Sequence, residues 1–436
     1  MIVTADWVLP VCEPPIRHGA VAVREGVVVE VGPAADVCAR WMDDTDACEL
    51  DGCILAPGLV NAHSHLALTA LGGLLTPAPL AAWLRRVSRA VVGLTPEEFG
   101  TSAALGAAHC LLSGTTVVGD IVYGAQSLTA ATSLGLGGAF CWELLGMEPR
   151  EIDDSLERRG FVDTVAGLPA EIARRVVVGI SPHTPYTAGP ELLVAAHTLA
   201  RRHGAPFVIH IAESASEVEL LAEGTGPFAE PAERMAHGFQ APHASPVAYL
   251  ESLGVLDDAV CVHAVHVDET DAALLAQAAR GVVVCPRSNG FLDNGMPPIH
   301  LLRRNGVRLA VGTDSSASNE DLDLFAEMRA VRALDPTIGA DEALSMMTLA
   351  GAQALGLAGT FGTLASGVQA DLVAVRADGG DDPVEAFLAA GSAGVEDVMA
   401  GGGWVVWECE PAFPLRELAR AAAVVRERAA GLVKEA

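Results

Sequence analysis

Eight apolar runs cross the middle of this chain, and each ends on polar residues. They span 57–65, 115–122, 137–145, 175–183, 206–213, 259–266, 281–288 and 307–314. Helical patterns lie between them, among them 97–113, 190–202, 270–279 and 321–334. A continuous apolar strand needs cover on both faces, and eight strand–helix units of this size form the pattern of an α/β fold of the (β/α)8 barrel type. In such a barrel the carboxyl ends of the strands converge on one mouth, where chemistry sits.

The first run ends in His63-Ser64-His65. Residues i and i+2 of a strand point to the same face, so two imidazoles aim at one point. A His-x-His pair by itself is a weak signal and is more often a surface feature than a ligand pair. The later runs supply companions: Asp120, Glu143, His183, His210 with Glu213, His263 with His266, Ser288 with Asn289, and Asp314. Each alone has a bland explanation as a buried polar group with a satisfied partner. Their recurrence at the same place in successive units does not.

His63, His65, His210 and Asp314 give three imidazoles and a carboxylate. That set suits one divalent transition metal, Zn²⁺ or Fe²⁺, with a position left for water. Glu213 then stands as the proton shuttle. His263 is placed to hydrogen-bond the attacking oxygen or the developing tetrahedral centre, and Asp314 to take a proton as the leaving group departs. Glu143, Trp83, Ser288 and Asn289 are candidate substrate contacts. Asp120 could brace a ligand histidine through its free ring nitrogen. Arg85, Arg86 and Arg89 recur at helical spacing and read as a solvated face.

Outside the barrel, residues 1–56 and 362–412 are both rich in short strands, which predicts one small β-sandwich domain built from the two ends. Residues 57–361 are the catalytic barrel and 413–436 a closing amphipathic helix. Two excursions, 66–94 and 222–247, interrupt the barrel, and excursions this long are commonly functional. The first is a candidate cover for the active site.

Composition narrows the partners. A net charge of −28, from 55 acids against 27 bases, argues against nucleic acid or an anionic membrane as partner, since both need a basic face. The expected partner is a small-molecule substrate, and the expected assembly a homodimer. The nine cysteines are scattered, and the N-terminal stretch lacks the basic-then-apolar pattern of a signal peptide. Both features fit reduced thiols in the cytoplasm.

The strand-end segments are Pro57-Gly58-Leu59-Val60-Asn61-Ala62-His63-Ser64-His65, Ser181-Pro182-His183-Thr184-Pro185-Tyr186, His210-Ile211-Ala212-Glu213, Val262-His263-Ala264-Val265-His266, Cys285-Pro286-Arg287-Ser288-Asn289 and Gly312-Thr313-Asp314-Ser315-Ser316-Ala317-Ser318-Asn319. In this order they resemble the amidohydrolase superfamily, in particular its mononuclear aminohydrolase branch. That branch holds methylthioadenosine and S-adenosylhomocysteine deaminases, guanine deaminase and triazine hydrolases. The resemblance implies one metal on His63, His65, His210 and Asp314, catalysis by Glu213 and His263, and substrate contact by His183. The fourth run ends without a Lys, so the carbamylated bridge of two-metal relatives has no candidate.

Two positions depart from the methylthioadenosine deaminase pattern. An apolar residue stands where that pattern has a Glu near Trp83, and Glu143 replaces an Arg. The combination resembles the aminodeoxyfutalosine deaminases of menaquinone biosynthesis. The expected function is a metal-dependent hydrolytic deaminase of an aminated, purine-like heterocycle, releasing ammonia. The alternatives are a hydrolase of another C–N or C–Cl bond (triazine, guanine, pterin or cyclic amidine) and a metal-free scaffold with no catalysis.

Overall fold

The computed structural model describes residues 1–41, 46–147, 164, 167–235 and 239–434. Four strands begin the chain: β1 (Ile2–Val8), β2 (Ile16–Arg24), β3 (Val27–Pro33) and β4 (Ala47–Pro57). The barrel strands follow: β5 (Leu59–Ser64), β6 (Thr115–Val122), β7 (Gly137–Leu144), β8 (Val176–Pro182), β9 (Val208–Ile211), β10 (Val260–His263), β11 (Gly281–Val284) and β12 (Leu309–Val311). All eight expected runs form strands. They pair in parallel as β5-β6-β7-β8 and β9-β10-β11-β12. Bridges Ile180↔Phe207 and Ser64↔Asp314 join the two halves into a closed ring.

The seam between β5 and β12 is built from side chains as well as backbone. Asn61 Nδ2 donates to Thr313 Oγ1 at 2.7 Å, and Thr313 N donates to Asn61 Oδ1 at 3.0 Å. The amides of Thr313 and Asp314 both donate to the His63 carbonyl. Gly312 lies so close to His63 that a Cβ there would sit 2.7 Å from the His63 Cβ, which explains glycine at this point.

The ends of the chain meet in one eight-stranded sheet, ordered β16-β15-β14-β13-β4-β1-β2-β3. Its later strands are β13 (Leu372–Arg376), β14 (Val395–Ala400), β15 (Gly403–Trp407) and β16 (Glu410–Pro411). β4 pairs with β1 on one side and β13 on the other, so the sequence-distant ends become neighbours. Val3, Val21 and Val23 share a buried cluster with Leu372, Ala374 and Met399.

The excursion 66–94 is mostly helical: a 3₁₀ turn over Leu66–Leu71 and an α-helix over Leu80–Gly93. The helix has one apolar face, with Leu80, Trp83, Val87 and Ala90 buried and Arg85 and Arg89 exposed. It packs on the C-terminal helix Leu415–Lys434. Arg428 of that helix donates to Glu98 Oε2 at 2.5 Å and to the Gly93 carbonyl at 2.7 Å, and Arg426 donates to the Gly72 carbonyl. The second excursion carries a helix over Ala229–Met235. Phe228 just before it stacks on Tyr186, with ring centroids 4.7 Å apart. His237, in the same excursion, lies outside the described residues.

Candidate active site

His63, His65, His210 and Asp314 converge at the carboxyl ends of β5, β9 and β12. His63 Nε2 lies 3.3 Å from His210 Nε2. Asp314 Oδ1 is 3.6 Å from His65 Nε2 and 3.9 Å from His63 Nε2. Two nitrogens bound tetrahedrally to one cation at about 2.0–2.1 Å stand roughly 3.3 Å apart, so the His63–His210 spacing fits one Zn²⁺-sized ion. Among the described residues the groups able to hold a metal are His63, His65 and Asp314, and His63, His210 and His263. Both belong to this cluster.

The protonation states agree with ligation. Burial holds the His63 imidazole far below its usual range, and the neighbouring His210 and His65 add to the effect. Burial brings His65 and His210 each down to about 3, helped by His183 in both cases. Neutral imidazoles keep a lone pair for a cation. His210 Nδ1 donates to the His183 carbonyl at 2.8 Å, which leaves its Nε2 bare and aimed at His63.

Asp314 is anchored on three sides. Its Oδ2 accepts from Ser288 Oγ at 2.5 Å and from Ser318 Oγ at 3.2 Å, and its Oδ1 from the Ser315 amide at 2.7 Å. The backbone here is unusual. Ala212, His263, Ala264 and Asp314 all have positive φ, at 48°, 76°, 47° and 58°. Non-glycine residues in this region cost energy and cluster where a fold must aim a side chain.

Glu213 follows β9 and is buried. Its Oε1 accepts from Asn294 Nδ2 at 3.0 Å and lies 3.8 Å from His263 Nε2. Burial pushes its carboxyl well above the usual range, reinforced by the charges of Asp314 and Glu217. Glu217 accepts from the amides of Ala212 and Glu213 at 2.9 and 2.8 Å, fixing the turn that presents Glu213.

A cavity of about 250 Å³ opens over this cluster. His65, His183, His210, Glu213, His263 and Asp314 form its floor, with Glu143 at the side. Leu80, Trp83, Leu84, Val87 and Val91 of the covering helix form an apolar wall. Trp83 is fixed by an Nε1 hydrogen bond to the Ala317 carbonyl at 3.2 Å. His183 Nδ1 is 2.9 Å from Thr187 Oγ1, and burial lowers this imidazole to about 4.

Three expectations need correction. Ser288 and Asn289 do not line the cavity. β11 stops at Val284, and Pro286 starts a helix, Pro286–Phe291, that places both side chains behind Asp314 and His263. Asp120 does not brace a ligand ring. Its Oδ1 accepts from Ser64 Oγ and the Leu66 amide, so it fixes the backbone around the His-Ser-His pair. Among the described residues, the Nδ1 atoms of His63 and His65 have no hydrogen-bond partner. His266 lies beyond β10 and donates to the Asn294 carbonyl at 2.8 Å. Asn294 and Glu217 were missed from sequence, since both sit in turns or helices away from the strand ends.

A match to the Amidohydrolase family covers residues 54–405. The chain belongs to the amidohydrolase family. A curated relative from Syntrophobacter fumaroxidans, named 5-methylthioadenosine/S-adenosylhomocysteine deaminase, is 34% identical over 370 residues, covering 82% of this chain and 80% of the relative. The solved structure of a Xanthomonas campestris adenosine deaminase with bound zinc aligns with a TM-score of 0.84 and 28% identity, covering 98% of both chains. Aminofutalosine deaminase of Helicobacter pylori aligns with a TM-score of 0.79 at 21% identity, covering 93% of this chain and 100% of that one, a likeness of fold alone. Family membership brings the metal-dependent hydrolytic chemistry that the cluster is built to support. Among the described residues, no helix is long and apolar enough to cross a membrane.

Proposed function

We propose that this chain is a hydrolytic deaminase of adenine-type nucleosides that works with one divalent metal, Zn²⁺ in the first instance, on His63, His65, His210 and Asp314. The observation that carries the reading is the meeting of that donor set with Glu213 and His263 on the floor of a single cavity. The curated relatives with deaminase names and the zinc-bearing adenosine deaminase structure support the reaction class.

When bound, the cation supplies a Lewis acid and lowers the pKa of its water to about 7. The chain's own residues do the rest. Glu213 takes a proton from the attacking water and delivers it to the ring nitrogen beside the amine-bearing carbon. Its raised pKa suits that exchange, since burial makes the carboxylate a stronger acceptor for the water proton than an exposed one. His263 donates from Nε2 to the oxygen as the carbon becomes tetrahedral. Asp314 receives the second water proton and passes it to the departing amine, which leaves as ammonia. The apolar wall over Leu84, Val87 and Val91 shields the reacting centre from bulk water.

Glu143 on the inner wall, with no acid on the cavity face of the covering helix, supports aminodeoxyfutalosine as a nucleoside to test beside methylthioadenosine. Metal-loaded protein should release ammonium from an adenine nucleoside with the matching ultraviolet shift. Chloride release from chlorotriazines, with no ammonium from any adenine compound, would overturn the reading.

A further inference from the structure

Asp314, His263 and Glu213 come from three different strand ends, yet one short segment holds them all. The segment is the helix Pro286–Phe291 and the turn that follows it to Asn294. Ser288 Oγ donates to Asp314 Oδ2 at 2.5 Å. Asn289 Nδ2 lies 3.1 Å from His263 Nδ1, and Asn294 Nδ2 donates to Glu213 Oε1 at 3.0 Å. Ser288 and Asn289 are fully buried and Asn294 nearly so.

The segment is itself pinned. The Asn294 amide donates to the Asn289 carbonyl at 2.9 Å, and His266 Nε2 donates to the Asn294 carbonyl at 2.8 Å. The Arg287 amide donates to buried Glu327 at 3.2 Å. The backbone that carries both asparagines is therefore held in place.

These amides decide where protons sit. A neutral imidazole has one donor nitrogen and one acceptor nitrogen. With the Asn289 NH₂ group facing His263 Nδ1 and its Oδ1 buried without a partner, Nδ1 accepts and the ring proton sits on Nε2, facing Glu213. His210 is the opposite case: its Nδ1 donates to a carbonyl, which leaves Nε2 bare. The two rings are stacked with centroids 5.5 Å apart. Adjacent histidines are thus held in opposite tautomers, one as a ligand and one as a donor. Asn294 acts likewise on Glu213. By occupying Oε1 it leaves Oε2 to exchange the proton.

We propose that Asn289 and Asn294 are positioning residues for the deamination, Asn289 through His263 and Asn294 through Glu213. The assignment of effect on turnover rests on the deaminase reading above. In full-length, metal-loaded protein, Asn289→Ala and Asn294→Ala should each lower kcat by about 10–100-fold, the range for losing a partner of a site residue, with metal content unchanged. KM should move by less than about threefold, since neither residue touches substrate.

A double-mutant cycle separates positioning from packing. On a Glu213→Gln background, Asn294→Ala should cost less than about twofold, because the carboxylate it aims is gone. Asn289→Ala on a His263→Gln background should behave the same way. Equal losses in both backgrounds, or an unchanged kcat in the single variants, would overturn the proposal. If an alanine variant does not fold, Asn→Ser at the same position runs the same cycle. A test without turnover is ¹⁵N NMR of the histidine rings in zinc-loaded protein. It should show the His263 proton on Nε2 and the His210 proton on Nδ1, with the His263 pattern lost in Asn289→Ala. A wild-type His263 protonated on Nδ1 overturns the proposal whatever the enzyme turns over, whereas absence of ammonium release counts against the deaminase reading alone.

Discussion

The floor and the wall of the cavity are built in different ways. The floor residues stand at the ends of strands bonded on both sides; Asn61, Asp120 and Glu217 fix the backbone around them, and Ser288, Asn289 and Asn294 bond the side chains of Asp314, His263 and Glu213. The wall is one helix, Leu80–Gly93, resting on a separate apolar cluster shared with the C-terminal helix through Ala422, Val425 and Ala429. Polar hydrogen bonds fix geometry to fractions of an ångström, whereas apolar packing fixes shape and tolerates change of side chain. The barrel therefore sets the reaction, and the wall is where a family like this can change substrate without disturbing it.

That contrast is testable by substituting each side. On the floor, Glu213→Gln should lower kcat by about 10²–10⁴-fold, because the shuttle is lost. All four ligands remain, so metal content should match wild type by elemental analysis. Near-normal turnover would show that Glu213 is not the shuttle. On the wall, Leu84→Ala should act mainly on KM, raising it about tenfold, the worth of a lost contact in an apolar pocket. Its kcat and metal content should hold. A large loss of kcat or metal would mean that the wall is part of the catalytic framework and would erase the contrast.

The smallest effect concerns how the floor is braced. Glu327 is buried behind β12, where it accepts from Asn319 Nδ2 at 2.6 Å, and burial pushes its carboxyl from 4.5 up to about 8. A carboxyl raised in the folded state contributes stability that is fully present below its unfolded value and is lost as pH rises through its folded value. Between about pH 5 and about pH 9 the wild-type melting temperature should therefore fall a few degrees further than that of Glu327→Gln. Parallel melting curves across that range would show that Glu327 does not take up a proton on folding.

The same divide governs what could be read in the sequence. Strand ends were legible because an apolar run stopping at His63, His210, His263 or Asp314 marks both an element and its exit. The sequence-distant β strands at the two ends were legible from composition, and their pairing of Leu372 with Pro57 follows from the barrel bringing both ends to one side. Asp120 and Asn289 were visible as polar residues, but their partners were not, because a partner is set by tertiary approach and not by spacing. Asn294 carried no signal at all: it follows a helix, after the positive-φ residue Asp293, and only the folded turn brings it to Glu213. The covering helix was visible as an excursion whose arginines keep helical spacing. Which of its faces met the cavity depended on the C-terminal helix packed behind it.

The most direct test of the whole account is a metal titration read as turnover. Protein stripped by a chelator should release no ammonium from an adenine nucleoside. Adding Zn²⁺ should restore release in proportion to metal and level off at about one equivalent per chain. Ammonium release that survives stripping, or that levels off at two equivalents, would contradict a single-metal site on His63, His65, His210 and Asp314.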